Sequence, residues 1–155
     1  MSTIVRDYEG NSGNTILLKG APERVIAKCA NYLNCHNVQK PLNDKEKQKL
    51  ISQIQKVASQ GYRVLGCAIG TDGGNMKNIT EKNCSDLLSD VSKYEELESG
   101  LSFIGYVCIQ DPVRPEVYDS IVSCRNAGIN VIMITGDSKE TAVAIAQKLN
   151  IITAE

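Results

Sequence analysis

Apolar and polar positions alternate, then cluster, in a way that divides the chain into recognisable elements. Residues 2–8 and 14–19 alternate as strands and flank the turn-rich EGNSGN at 9–14. The Gly20-Ala21-Pro22-Glu23 stretch opens a short helix, because proline at a first helical position loses an N–H that would be unpaired anyway. Val25, Ile26 and Cys29 fall on one face of it. A second helix is predicted over 43–59, with Asn43 as cap and Leu50, Ile54, Val57 and Ala58 as its apolar stripe. YRVLGCAI at 62–69 reads as a largely buried strand. The stretch 71–98 is polar, with room for a short helix near 85–90.

The last third has a stronger rhythm. LSFIGYVCI (101–109) reads as a strand, 115–127 as a helix with Val117, Ile121 and Cys124 on one side, and INVIMI (129–134) as a second strand. A final helix over 139–149 places Ala142, Ile145, Ala146 and Leu149 on one face. Continuously apolar strands joined through a helix predict a parallel sheet covered on both faces, with right-handed crossover. The fold class is therefore α/β: an α+β first portion, then a β-α-β-α portion, with the boundary near Gly100.

In a parallel sheet of this kind the carboxyl ends of the strands share one edge, and ligands bind there. The first strand ends at Gln110-Asp111-Pro112 and the second at Thr135-Gly136-Asp137. Two carboxylates and a hydroxyl should converge on one rim. Gly136 permits a sharp turn, and the following helix start offers unpaired N–H groups, which suits phosphate. Carboxylates beside phosphate require an intervening cation, either Mg²⁺ or a lysine. The same residues also have plain structural readings. Asp137 with Glu140 forms a capping pair, and Asp111-Pro112 ends a strand.

Composition narrows the function classes. Apolar residues make up 42% of 155 residues, enough for a packed core. Seventeen basic and eighteen acidic residues nearly cancel, which argues against nucleic acid as a partner. No apolar run approaches the roughly 20 residues that span a bilayer, and MSTIVRDYEG has no secretory leader pattern. The six cysteines include no CxxC pair and lack zinc-ligand spacing, so buried, reduced thiols of a cytosolic protein are expected. His36 sits in a polar loop without an evident partner. Asn78-Ile79-Thr80 and Asn83-Cys84-Ser85 match the glycosylation sequon, irrelevant in a cytosolic chain.

Four segments carry a resemblance. MITGDSKETAVAIA (133–146) resembles the M-[IL]-T-G-D-x-x-x-T-A-x-A-I-A segment of P-type cation-transporting ATPases. QDPVRPEV (110–117) resembles their D-P-P-R-x-E-V segment, LLKGAPERVIAKC (17–29) their K-G-A-P-E segment, and GYRVLGCA (61–68) their G-x-R-V-L-A segment. The four stand in the family's order and cover essentially the whole chain. YEELESGLSFIG (94–105) resembles calcium pumps of the sarco/endoplasmic-reticulum type.

The resemblance implies that 1–99 is the later part of the nucleotide-binding (N) domain. It implies that 100–155 is part of the phosphorylation (P) domain, with a Rossmann-like, haloacid-dehalogenase-type core. The parent would be an integral membrane pump using ATP and Mg²⁺, coupling hydrolysis through an aspartyl-phosphate to transport of a cation, calcium on this resemblance. Its partners would be ATP, the transported cation and the pump's remaining domains. This portion would be cytosolic, the endoplasmic reticulum being one placement of the membrane.

Roles follow by position. Lys19 and Gly20 match the ATP pocket, although read alone Lys19 is a solvated strand-end lysine and Gly20 a turn residue. Arg63 matches an arginine that contacts nucleotide phosphates, and guanidinium suits bidentate oxygen contacts; alone it could satisfy a nearby carboxylate. Leu65 would pack near adenine or in the core. Thr135 and Gly136 match the transferred phosphoryl site, and Asp137 and Asp111 match carboxylates that organise it and its nucleotide contacts. Arg114 orients Asp111 or begins a helix. Val113 stands where the family has Pro, and Ser138 where it commonly has Asn.

No Asp is followed by Lys-Thr-Gly, so the family's acceptor segment D-K-T-G-T is missing, as are its later T-G-D-G-x-N-D segment and its metal-binding aspartates. An excised piece of a larger pump is expected, binding nucleotide weakly and not turning it over, with no metal site of its own. Two rivals remain. A soluble dehalogenase-like phosphatase needs an Asp-x-Asp nucleophile. A non-catalytic phosphate-binding α/β module leaves the KGAPE and YRVL matches unexplained.

Overall fold

The computed structural model describes residues 1–7, 13–70, 76–77 and 79–152. It contains six strands, β1 (Ser2–Arg6), β2 (Asn14–Gly20), β3 (Cys29–Leu33), β4 (Gln39–Pro41), β5 (Arg63–Gly70) and β6 (Leu101–Ile109). Among the described residues six α-helices accompany them: α1 (Pro22–Ala27), α2 (Asp44–Ala58), α3 (Cys84–Leu87), α4 (Tyr94–Leu97), α5 (Glu116–Asn126) and α6 (Lys139–Lys148). The strands form one mixed sheet in the order β1-β2-β5-β6-β3-β4, so the class is α/β. Most of the EGNSGN turn lies outside the described residues, as does Asn78 of the first sequon. Among the described residues no helix is long and apolar enough to cross a membrane.

The chain divides into two compact lobes. The first comprises 1–51 and 65–107. There β1 pairs antiparallel with β2 and β2 with β5, in registers that set Ile16 against Gly70 and Gly20 against Gly66. Ile16, Leu18 and Ala68 point to the buried side, joined by Val25 and Ile26 of α1 and by Leu101 and Phe103 of β6. Period-two alternation leaves Leu17, Lys19, Cys67 and Ile69 on the other, less covered face. Asn14 is buried and donates from Nδ2 to the carbonyls of Met76 and Ile79, both at 2.8 Å, which pins the segment after β5 to the sheet.

The β3–β4 hairpin went unpredicted. Cys29, expected on the α1 face, instead begins β3, which runs parallel to β6 with Cys29 opposite Leu101. Its burial still holds, because the strand carries it into the same core. The helix expected near 85–90 is the single turn Cys84–Leu87. Asn43 and Glu46 bond reciprocally at the start of α2: Glu46 N–H donates to Asn43 Oδ1 (3.0 Å) and Asn43 N–H to Glu46 Oε2 (3.2 Å). That is a capping box.

The second lobe comprises 52–64 and 108–155, including α5 and α6. Ile54, Ala58, Ile121, Ala146 and Leu149 are buried, as the helical spacing required. The buried side of α6 also takes in Thr141 and Ala144, in place of the half-buried Ala142. Helix α5 ends where Gly128 turns left-handed, at φ +73°, and Ile129 N–H reaches back to Cys124 O at 2.9 Å. Asn150 ends α6 in the same way, at φ +55°, with Ile151 N–H on Ala146 O at 2.8 Å.

The segment 129–134 departs from expectation. It is not a strand, and Ile132 and Ile134 are 81% and 93% exposed. Its apolar pattern suits a buried strand, but a strand exists only where a neighbour completes its ladder, and among the described residues none pairs with it. The cysteine expectation also needs correction. All six thiols are free, but only Cys29 is buried, and Cys35 and Cys108 are exposed. Cys108 sits at the outer end of β6 and Cys35 in the β3–β4 turn, where nothing covers them.

Candidate functional site

In the first lobe, β2 delivers Lys19 and Gly20 at its carboxyl end, beside the start of β5. Lys19 lies opposite Cys67, and alternation puts Leu65 on the same face as Cys67. Lys19 is exposed and Leu65 half-buried, so this face offers a cation next to an apolar surface. Helix α1 approaches β5 very closely here. A Cβ on Gly66 would stand 3.0 Å from Pro22 Cα and 3.3 Å from Val25 Cβ. The glycine of GYRVLGCA thus makes room for the proline of KGAPE, and two of the sequence segments meet through a missing side chain.

In the second lobe, Gly61, Arg63, Asp111, Asp137, Thr141 and Ile145 line a cavity of about 240 Å³. Arg63 Nε lies 3.7 Å from Asp137 Oδ1. The turn before α6 is held locally. Asp137 N–H donates to Thr135 Oγ1 at 3.1 Å, and the Thr135 hydroxyl donates to Asp137 Oδ2 at 3.2 Å. Ser138, not Asp137, caps α6, accepting from Thr141 N–H. The Asp137 carboxylate is therefore committed to the Thr135 hydroxyl and the guanidinium rather than to the helix. Thr135 and Gly136 stand exposed in the turn. A neighbouring cavity of about 380 Å³ is lined by Asp111, Arg114 and Lys148, among others.

Asp111 and Asp137 do meet at one cavity, but not by the predicted route. Asp111 follows β6, whereas Asp137 follows a segment without a ladder. What fixes Asp137 is the start of α6, whose buried Thr141 hydroxyl donates to Tyr62 O at 2.9 Å. Lys148 Nζ, on the same helix, donates to Gln60 O at 3.1 Å. Thr141 and Gly61 are site residues that the motif reading passed over. The signal for Thr141 was a hydroxyl one helical turn beyond Asp137, inside an otherwise apolar stripe.

A larger cavity, about 610 Å³, lies in the first lobe between β1 and the segment 76–98, lined by Ile4, Arg6, Asn14, Ile79, Cys84 and Tyr94 among others. No residue singled out for nucleotide or phosphoryl contact lines it, so its size does not make it the site. Among the described residues no group of three or more His, Cys, Asp or Glu side chains is placed to hold a metal ion.

Residues 1–116 match the model of the family described as P-type ATPase, cytoplasmic domain N. A probable calcium-transporting ATPase of Trypanosoma brucei brucei is 35% identical over 154 residues, covering 99% of this chain and 15% of that protein. The chain thus spans about 15% of that relative's length.

Proposed function

From the premise that this chain belongs to the P-type ATPase cytoplasmic domain N family, we propose that it recognises ATP for a cation pump, with calcium as the cargo. The reading is supported most directly by the less covered face of the β2–β5 pair, where exposed Lys19 stands on the same side as half-buried Leu65. An adenine nucleotide needs an apolar surface for its ring and cations for its phosphates. Leu65 supplies the first, and Lys19 and Arg63 the second, with Gly20 letting backbone approach the ligand. A guanidinium has five donors, so a contact with Asp137 leaves Arg63 capacity for phosphate oxygens.

Residues 100–155 are read as part of a Rossmann-like phosphorylation domain. There Thr135, Gly136 and Asp137 support the transferred phosphoryl group, while Asp111 and Arg114 order the nucleotide side of the site. Asp111 and Asp137 offer two carboxylates at most, and Mg²⁺ commonly keeps waters and binds through substrate phosphates. These residues therefore fit a magnesium ion that arrives with the nucleotide, not a resident metal. In the whole pump, hydrolysis passes through an aspartyl-phosphate and drives transport, and this portion faces the cytosol. The 155-residue chain alone contains no D-K-T-G-T acceptor segment and binds ATP without turning it over.

A chemical-shift titration with ATP tests the reading. Amide signals around Lys19–Gly20 and Arg63–Leu65 should move together with a weak affinity. If neither neighbourhood moves, the proposal is wrong. Incubation with radiolabelled ATP should leave no acid-stable label on the chain, and a label would point to an acceptor of another kind. The dehalogenase-like phosphatase reading has no Asp-x-Asp to stand on.

A further inference from the structure

We infer that Thr141 is a positioning residue for the Arg63–Asp137 pair, and so for the phosphate contact proposed for Arg63. The inference rests on the nucleotide reading above but is tested apart from it. Thr141 is only 2% exposed. Its hydroxyl donates to Tyr62 O at 2.9 Å and lies 3.0 Å from Ser138 Oγ. A hydroxyl has one proton, and that proton serves Tyr62, so Ser138 is the donor in the second contact. Ser138 Oγ in turn accepts from Thr141 N–H at 3.4 Å. The result is a directed relay from the cap of α6 to the backbone at the start of β5.

The relay touches both ends of the ion pair. The Tyr62 carbonyl belongs to the peptide plane that ends at the Arg63 nitrogen. Ser138 directly follows Asp137. One buried hydroxyl therefore holds the carbonyl immediately before Arg63 and the side chain immediately after Asp137. The ion pair cannot set its own geometry: the Arg63 side chain is 66% exposed and the separation is 3.7 Å. Exposed pairs of that kind hold little order by themselves. Burial of Thr141 makes the hydroxyl the stiffer member, because a partly buried carbonyl deprived of its donor is costly to leave unpaired. The separate bond from Lys148 Nζ to Gln60 O keeps α6 tethered when Thr141 is changed, so loss of the hydroxyl should loosen aim rather than unfold the lobe.

The test uses the 155-residue chain with Thr141→Val, which keeps shape and removes the donor, and Thr141→Ser, which keeps the donor. Without nucleotide, the Arg63 Nε–Hε resonance should shift in Thr141→Val and return in Thr141→Ser. With ATP, Thr141→Val should weaken binding about three- to tenfold, the worth of one hydrogen bond, and Thr141→Ser should restore it. In an Arg63→Gln background Thr141→Val should weaken binding no further. An unmoved Arg63 resonance, or an equal loss with and without Arg63, overturns the inference. If Arg63→Gln alone leaves ATP affinity unchanged, the phosphate role of Arg63 is what fails, and the resonance alone decides the positioning role. Should Thr141→Val not fold, Thr141→Cys, whose thiol is only a weak donor, should move the Arg63 resonance in the same direction, and an unmoved resonance there overturns the inference as well.

Discussion

Arg63 Nε stands 3.7 Å from Asp137 Oδ1, which ties the first residue of β5 to the turn before α6. With the Arg63 side chain 66% exposed, this pair contributes little to stability, on the order of 0.2–1 kcal/mol. Arg63→Gln should therefore shift the melting midpoint by no more than about 4 °C, while weakening ATP binding severalfold. Arg63→Lys should restore only part of the affinity, since an ammonium cannot present a planar fork to two acceptors. Calorimetry and an ATP titration on the same samples separate the two effects. A large melting shift with unchanged affinity would reverse the assignment.

Gly66 should tolerate no side chain. A Cβ there meets Pro22 Cα at 3.0 Å, and backbone cannot swing aside as a side-chain tip can. Gly66→Ala is expected to cost about 1–3 kcal/mol in urea unfolding, the usual range for overpacking. Gly105→Ala is the matched control. Nothing lies within 4 Å of its Cβ position, and it should be neutral or slightly stabilising.

Thiol chemistry should sort the cysteines. Burial pushes the Cys29 thiol up to about 11, against a smaller opposing pull from the Lys47 charge. Its thiolate is scarce at neutral pH as well as inaccessible. Brief alkylation at pH 8 followed by peptide mass mapping should label Cys35 and Cys108 and leave Cys29 unmodified until denaturant is added. Labelling of Cys29 at the same rate as Cys35 would show that the core around it opens readily.

Glu98 should set part of the acid limb of stability. Burial alone would raise its carboxyl, but hydrogen bonds from Lys28 and Ser2, together with the Lys28 charge, outweigh burial and leave it below its ordinary value. Lys28 Nζ lies 2.5 Å from Glu98 Oε2. A depressed folded-state value means that the stabilisation is complete above the unfolded-state value and is lost as pH falls through the folded one. Glu98→Gln should remove on the order of 1 kcal/mol at pH 7 and flatten the decline below about pH 4. Identical acid limbs for the two proteins would exclude the contribution.

Much of this architecture could be read from residue order because most elements are held by their own near neighbours. Asn43 announces the start of α2, Pro22 that of α1, and the apolar spacing of Val117, Ile121 and Cys124 the buried side of α5. Where a distant partner decides, local pattern misleads. INVIMI has the composition of an interior strand, yet 129–134 has no ladder, while the unremarkable CANYL becomes β3 because β6 lies alongside it. The site shows the same division. The strand ends pointed to Asp111 and Asp137 and the family resemblance to Arg63, and the three share a cavity. Neither pointed to Thr141, whose significance depends on a carbonyl far away in the chain.

Cys29 lies opposite Leu101, so β3 has to wait for nearly the whole first lobe to be synthesised before its parallel neighbour exists. Until then the hairpin it makes with β4 is a two-stranded ribbon, marginal in water. Closure of so long a loop is paid for in chain entropy before any contact rewards it. On a ribosome, β1 and β2 can zip early and β5 can join them, but the far edge of the sheet is a latecomer, and a chain released before Leu101 would leave Cys29 and its strand adrift.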